Sequence, residues 1–244
     1  MNALLLAAGE GTRLRPLTLD TPKCLAPVIG HRLLEVWLNL LERGPCPAAC
    51  WINTSYLAHK VDAYIARKAP SLTYAVHAFY EKRLLGTAGT LQALLPQLHG
   101  HDLLLAHADN LSWFDLKDFN EAHRQRPAGT EITMMTFETD SPQSCGIVVT
   151  NQSGVLEEFH EKVSAPPGNI ANGAVYLLSP KALQQIEELG PVFEFSTQVI
   201  PHFLGKTYCW QNTVYHRDIG NPQSLAAAQD EFRPIAAKFG IFNL

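Results

Sequence analysis

Short apolar runs of strand length recur through the first half of the chain and alternate with stretches of helical period. Residues 2–7, 49–53, 73–77 and 102–106 predict strands, while 32–42, 58–68 and 88–95 predict helices. In the first of these helices Leu33, Val36, Trp37, Leu40 and Leu41 recur at three- and four-residue steps, which predicts a core-facing stripe. A further helix over 114–126 is stopped by Pro127 and Gly129. Strand and helix in alternation are the mark of βαβ units on a largely parallel sheet.

Beyond Glu131 the pattern changes. Residues 130–137, 146–150, 155–160 and 173–178 read as strands joined by turns with no long helix between, which predicts antiparallel additions to the sheet. Helices return over 179–189, 195–203 and 222–232, the last begun by Pro222 in its first turn. No linker, repeat or low-complexity segment interrupts the chain. The expectation is one α/β domain, with residues 1–125 as a nucleotide-binding half and 126–244 as a substrate-binding half.

Composition narrows the class. With 46% apolar residues over 244, the chain has ample material for a core. A net charge of -4 and scattered basic residues give no footprint for nucleic acid or a membrane surface. The apolar run at the N-terminus is too short to span a bilayer and has no basic leader. Five cysteines without framework spacing suggest reduced thiols and a cytoplasmic setting. Cys46 and Cys50 lack a second ligand pair at zinc spacing and read as structural.

The most informative segment is Leu4-Leu5-Leu6-Ala7-Ala8-Gly9-Glu10-Gly11-Thr12-Arg13-Leu14, with Pro22-Lys23 shortly after. An apolar strand runs into a turn with two glycines, where backbone N–H groups can approach phosphate oxygens. Arg13 and Lys23 add the fixed positive charge that a triphosphate needs. The lysine lies outside P-loop spacing. Leu14 stands where a dinucleotide fingerprint needs its third glycine, which argues against a dehydrogenase.

The whole string, followed by Thr21-Pro22-Lys23, resembles the signature of the sugar-1-phosphate nucleotidyltransferases. Further segments are similar to that family's motifs in the same order: Leu85-Gly86-Thr87-Ala88-Gly89-Thr90-Leu91, His107-Ala108-Asp109, Phe159-His160-Glu161-Lys162, Asn172-Gly173-Ala174-Val175-Tyr176 and Asp218-Ile219-Gly220-Asn221-Pro222. The resemblance covers about residues 4–228. It implies a Rossmann-like three-layer α/β sandwich with a mixed, mainly parallel sheet, of the nucleotide-diphospho-sugar transferase type. It also implies Mg2+-dependent coupling of a nucleoside triphosphate to a sugar 1-phosphate with release of pyrophosphate.

By that resemblance Arg13 and Lys23 are catalytic, Arg13 at the leaving pyrophosphate and Lys23 at the α-phosphate. Leu6, Ala8, Gly9, Gly11, Thr12, Gly86, Thr87 and Gly89 would bind the nucleotide. Asp109, at the carboxyl end of its strand, and Asp218 would hold the metal; two carboxylates suit magnesium. Glu161 would accept from sugar hydroxyls, Lys162 would pair with the sugar phosphate, and Asn172 and Gly173 would complete the sugar pocket. As neighbours at a strand, Glu161 and Lys162 are expected to point to opposite faces. The chain departs from the family at Ala108, where glycine is usual, and at Val163 and Cys24, where proline is frequent. His107, beside the metal aspartate, has no assigned role.

The 85–91 turn resembles that of guanylyltransferases acting on mannose- or heptose-type sugar 1-phosphates; uridylyl or thymidylyl transfer is the alternative. A non-catalytic nucleotide-sugar-binding regulatory subunit is the alternative from another class. The chain ends soon after the Asp218 motif, so the C-terminal β-helix and acetyl transfer of some relatives are not expected. A homo-oligomeric state is left open.

Overall fold

A computed structural model describes residues 1–242. Packing divides the chain into two compact units that interleave in sequence. One comprises Met1–Leu4, Leu84–Ala106 and Lys117–Thr213; the other comprises Leu5–Arg83, His107–Leu116 and the chain from Val214 onward. The architecture is α/β, with a mixed sheet and flanking helices.

In the first unit the strand Ile170–Leu178 is central. It pairs antiparallel with Ile132–Glu138 (Leu178 opposite Ile132) and with Leu103–His107 (Tyr176 opposite Leu105). Its apolar residues from Val175 onward are buried, as are Leu103 to Ala106. Gly146–Thr150 and Leu156–Glu161 form an antiparallel pair beside it, through Ala171 opposite Ile147. Thr207–Gln211, a strand absent from the sequence reading, adds in parallel to Ile132–Glu138. Between Asn172 and Tyr176 the register slips, and Ala174 takes a φ of 53°. This bulge re-aims side chains at the end of the strand.

In the second unit Ala49–Thr54 and Ala75–Tyr80 run parallel, joined by the helix Ala58–Lys68. The later strand lies beyond the 73–77 that its apolar pattern suggested. Tyr74 instead points into the core, its hydroxyl donating to the Leu38 carbonyl at 3.0 Å. The helix Leu33–Arg43 buries the whole predicted stripe, together with Leu34 and Leu38. Trp37 Nε1 donates to the Asn110 carbonyl at 2.9 Å. Asn110–Trp113 is a strand, so the helix expected from residue 114 begins at Leu116. It pairs antiparallel with Tyr215–Asp218, placing Asp218 opposite Asn110.

Two other helical expectations change. Residues 195–203 form a π-helical turn, Phe195–Val199, followed by a 3-10 turn, Ile200–Phe203. Pro201 lacks the N–H that a regular α-helix would use there. The last helix runs Pro222–Phe239, past the predicted end and through Pro234; Asn221 caps it, accepting from Ser224 N at 2.8 Å.

Candidate active site

The first cluster lies within the second unit. Asn53, at the end of a buried strand, accepts from the backbone N–H groups of Ala7 and Ala8 at 2.5 and 3.2 Å. Its own amide donates to Glu81 at 2.9 Å. The start of the glycine loop is therefore fixed by a residue far away in sequence. Gly11 has a φ of 63°, and a Cβ there would stand 2.9 Å from the Lys23 Cβ. The Thr18 hydroxyl donates to the Gly11 carbonyl at 2.8 Å. Only glycine lets the loop turn this tightly against the lysine stem.

Lys23 is held by the short turn Lys23–Leu25 and has a side chain only 8% exposed. Its Nζ donates to Asp109 Oδ2 at 2.8 Å and lies 3.6 Å from Asp218 Oδ1. One ammonium thus draws two carboxylates together. Desolvation alone would raise the Asp109 carboxyl, but the charge of Lys23, with His107 and the Lys23 hydrogen bond, holds it below its ordinary range. A Cβ on Gly220 would come within 2.9 Å of Asp218 and 3.3 Å of the Arg13 guanidinium. Arg13 and Asp218 therefore approach the same point, and glycine leaves the room.

His216 sits on the Asp218 strand, its Nδ1 2.7 Å from the Ser112 hydroxyl. Burial pushes the imidazole down to about 3, with further lowering from His107 and Arg217. It is neutral at ordinary pH. Among the described residues no group of three or more His, Cys, Asp or Glu side chains is arranged to hold a metal. Asp109 and Asp218 are the two carboxylates that Lys23 gathers.

Leu6, Gly9 and Thr12 belong to the second unit with this cluster, and the remaining predicted residues fall in the first unit. Gly86, with a φ of 77°, begins the helix Gly86–Leu98, and a Cβ there would lie 2.4 Å from the Phe193 carbonyl oxygen. That carbonyl accepts from Ala88 N at 2.9 Å. The Thr87 hydroxyl accepts from Phe195 N at 2.7 Å and donates to Glu194 at 3.0 Å. Gly89 likewise leaves room for the Val192 carbonyl. The segment 192–195 therefore braces the whole turn, a contact between distant stretches that no local pattern announced. Phe193 remains half exposed.

Glu161 ends its strand opposite Gly146, whose missing Cβ makes room for the Glu161 carboxylate and the Phe159 ring. Lys162 does not continue the strand: its φ is 51° and its Nζ lies 3.3 Å from Glu161 Oε1. The two side chains meet instead of pointing to opposite faces, because the left-handed residue ends the alternation. Asn172 donates to the Tyr176 hydroxyl at 2.7 Å and accepts from Ala174 N at 2.9 Å. Gly173 is buried in the same bulge. Tyr176, itself 1% exposed, packs on Phe195 with ring centroids 4.6 Å apart.

The family model described as Nucleotidyl transferase matches residues 2–233. The chain belongs to the nucleotidyl transferase family. It is 29% identical over 227 residues to the mannose-1-phosphate guanylyltransferase catalytic subunit beta of Drosophila pseudoobscura pseudoobscura, covering 91% of this chain and 60% of that one. To the mannose-1-phosphate guanylyltransferase of Mycobacterium tuberculosis it is 27% identical over 241 residues, covering 97% and 66%. The chain spans about three-fifths to two-thirds of the length of these relatives.

Two solved structures share the fold. One, assigned as a glucose-1-phosphate thymidylyltransferase of Bacillus anthracis, has a TM-score of 0.84 at 20% identity, covering 94% of each chain. The other, HddC of Yersinia pseudotuberculosis complexed with GMP-PN, has a TM-score of 0.78 at 23% identity, covering 95% of this chain and 99% of that one. Among the described residues no helix is long and apolar enough to cross a membrane.

Proposed function

We propose that this protein transfers a nucleotidyl group from a nucleoside triphosphate to a sugar 1-phosphate, releasing pyrophosphate, in a Mg2+-dependent reaction. The observation that carries the reading is Lys23 held between Asp109 and Asp218 beside the glycine loop and Arg13. We take guanylyl transfer to a mannose- or heptose-type sugar 1-phosphate as the first expectation. The named relatives and the GMP-PN complex of a fold neighbour support that choice.

The chemistry follows from charge. A sugar phosphate oxygen is already anionic, so it needs no general base. It attacks the α-phosphorus, and the bond from that phosphorus to the bridging oxygen of pyrophosphate breaks. What the protein must supply is neutralisation of anionic oxygens. In this reading the backbone N–H groups of residues 9–12 and Arg13 bind the leaving pyrophosphate, and Lys23 stabilises charge at the α-phosphate. Leu6 and Ala8 enter the nucleotide site by their backbone, and Gly86, Thr87 and Gly89 form the base turn. Glu161, Asn172 and Gly173 orient the sugar, and Lys162 binds its phosphate.

The donor set fits magnesium: two carboxylates already gathered by one cation are as many as this ion takes when phosphate oxygens and water complete its shell. Asp109 and Asp218 would hold it, and when bound it would neutralise phosphate charge. The test is a pyrophosphate-release assay crossing each nucleoside triphosphate with a panel of sugar 1-phosphates, with and without Mg2+. GTP with a mannose- or heptose-type phosphate is expected to turn over fastest. Preference for UTP or dTTP would reassign the base. No turnover with any pair, alongside tight binding of a nucleotide sugar, would make the chain a regulatory binder instead.

A further inference from the structure

A cavity of about 380 Å3, within the size range of small-ligand sites, opens in the second unit and uses none of the residues assigned above to substrate. Its lining is charged unevenly: Arg32, Lys60 and Arg67 stand against a single carboxylate, Asp20. Arg32 Nη1 donates to the Leu25 carbonyl at 3.1 Å, which leaves that guanidinium further donors. Lys60 donates to the Asp20 backbone carbonyl, which positions its ammonium at the rim. The Arg67 guanidinium lies 5.4 Å from the centroid of the Tyr64 ring.

The rest of the lining is largely apolar, from Pro22, Leu25, Ala63 and Tyr64. Tyr64 is only 6% exposed, and the Glu35 carboxylate, itself paired with Lys68, acts on its hydroxyl from the helix Leu33–Arg43. Three cations over an apolar floor suit a phosphoryl group carried on a small organic body. The shared chemistry with free phosphate is the dianionic phosphoryl head.

The cavity also touches the active lysine through the chain. Thr21, Pro22 and Leu25 line it, and Lys23 lies between them. Leu25 N donates to the Pro22 carbonyl at 2.8 Å and Ala26 N to the Lys23 carbonyl at 2.9 Å, which ties the turn together around Lys23. An occupant pressing on Pro22 and Leu25 acts on the backbone from which Lys23 reaches Asp109.

We propose that this cavity is a second anion site, taking a small organic phosphomonoester, whose occupancy resets Lys23 through residues 21–25. The binding half stands on its own; the regulatory half rests on the catalytic reading. The test titrates phenyl phosphate, and separately inorganic phosphate, into isotopically labelled protein while NMR follows the amides of Lys23, Ala63 and Tyr64. Saturable shifts at all three are expected, retained in Arg13→Gln and weakened at least tenfold in Lys60→Gln/Arg67→Gln. Arg67→Gln alone, which leaves the Lys60 contact intact, is expected to weaken binding several-fold and guards against a fold defect in the double variant. Tighter binding of phenyl phosphate supports the organic source, and equal binding of the two probes overturns it in favour of free phosphate. Absence of saturable shifts at Ala63 and Tyr64, or unchanged affinity in the double variant, overturns the site. Shifts there without one at Lys23 overturn the coupling, whether or not the chain turns over any substrate pair.

Discussion

Lys23 Nζ lies 2.8 Å from Asp109 Oδ2 in a site where the lysine side chain is almost wholly buried. Neither charge is well solvated, and each is the other's main compensation. Lys23→Met is expected to lower kcat for pyrophosphate release by about 10²–10³, the scale of losing one preorganised charge donor. It is also expected to raise the Asp109 carboxyl, read by carbon NMR titration. An unmoved carboxyl would mean that the pair is not what holds Asp109 ionised. Asp109→Asn is expected to abolish turnover while far-UV circular dichroism stays native; full activity in that variant would overturn the proposed metal role of Asp109.

The pH dependence of stability carries two signs that add. Asp109 is depressed in the fold, so its contribution is present above its unfolded value and is lost as pH falls through the folded one. His216 is depressed as well, to about 3, and the unfolded chain therefore binds a proton that the folded chain refuses. Its effect is loss of stability from about pH 6.5 downward, by up to about 1.4 kcal/mol per pH unit. Urea titrations of metal-free protein at pH 7 and 5 are expected to differ, and His216→Gln is expected to flatten the difference. An equal slope in the variant would show that His216 titrates freely.

Gly11→Ala would place a methyl group 2.9 Å from the Lys23 Cβ at a φ of 63°. The strain is expected to cost about 1–2 kcal/mol of stability. It is also expected to cut kcat/KM for the nucleotide more than tenfold, because the displaced stem is that of Lys23, the proposed catalytic lysine. Thermal melts and the pyrophosphate assay read the two effects separately. A stable variant with wild-type kinetics would show that the loop is not set against Lys23.

Asn172 and Tyr176 form a hydrogen-bonded pair across the bulge. Asn172→Ala is expected to destabilise the protein by about 1–3 kcal/mol, because it strands a buried hydroxyl. Adding Tyr176→Phe is expected to recover part of that loss, which a double-mutant cycle by urea denaturation measures. Full additivity would mean the bond contributes nothing. If Asn172 also orients the sugar, KM for the sugar 1-phosphate stays raised in the stability-rescued double variant.

The sequence showed where several candidate residues stand more plainly than what supports them. Asp109 was legible because an apolar run delivers it to a strand end, and Gly11 because a glycine turn precedes an arginine. The pairing of Asp218 opposite Asn110, on the strand that follows, was not, since Tyr215–Asp218 has four residues and no alternation long enough to register. Asn53 and Glu81 hold the loop start through side-chain bonds, which leave no periodic trace. The bracing of Thr87 by Glu194 and Phe195 joins positions more than a hundred residues apart. Lys162 broke the alternation rule because its left-handed backbone, invisible in composition, turns it back toward Glu161.

The unit that contains Lys23, Asp109 and Asp218 is built from three separated stretches of chain. No contiguous fragment short of residues 23–218 carries all three charges. During synthesis, Lys23 and Asp109 leave the ribosome long before the second carboxylate exists. The charge cluster is completed only when the late strand docks, so its assembly waits on a segment almost two hundred residues beyond Lys23.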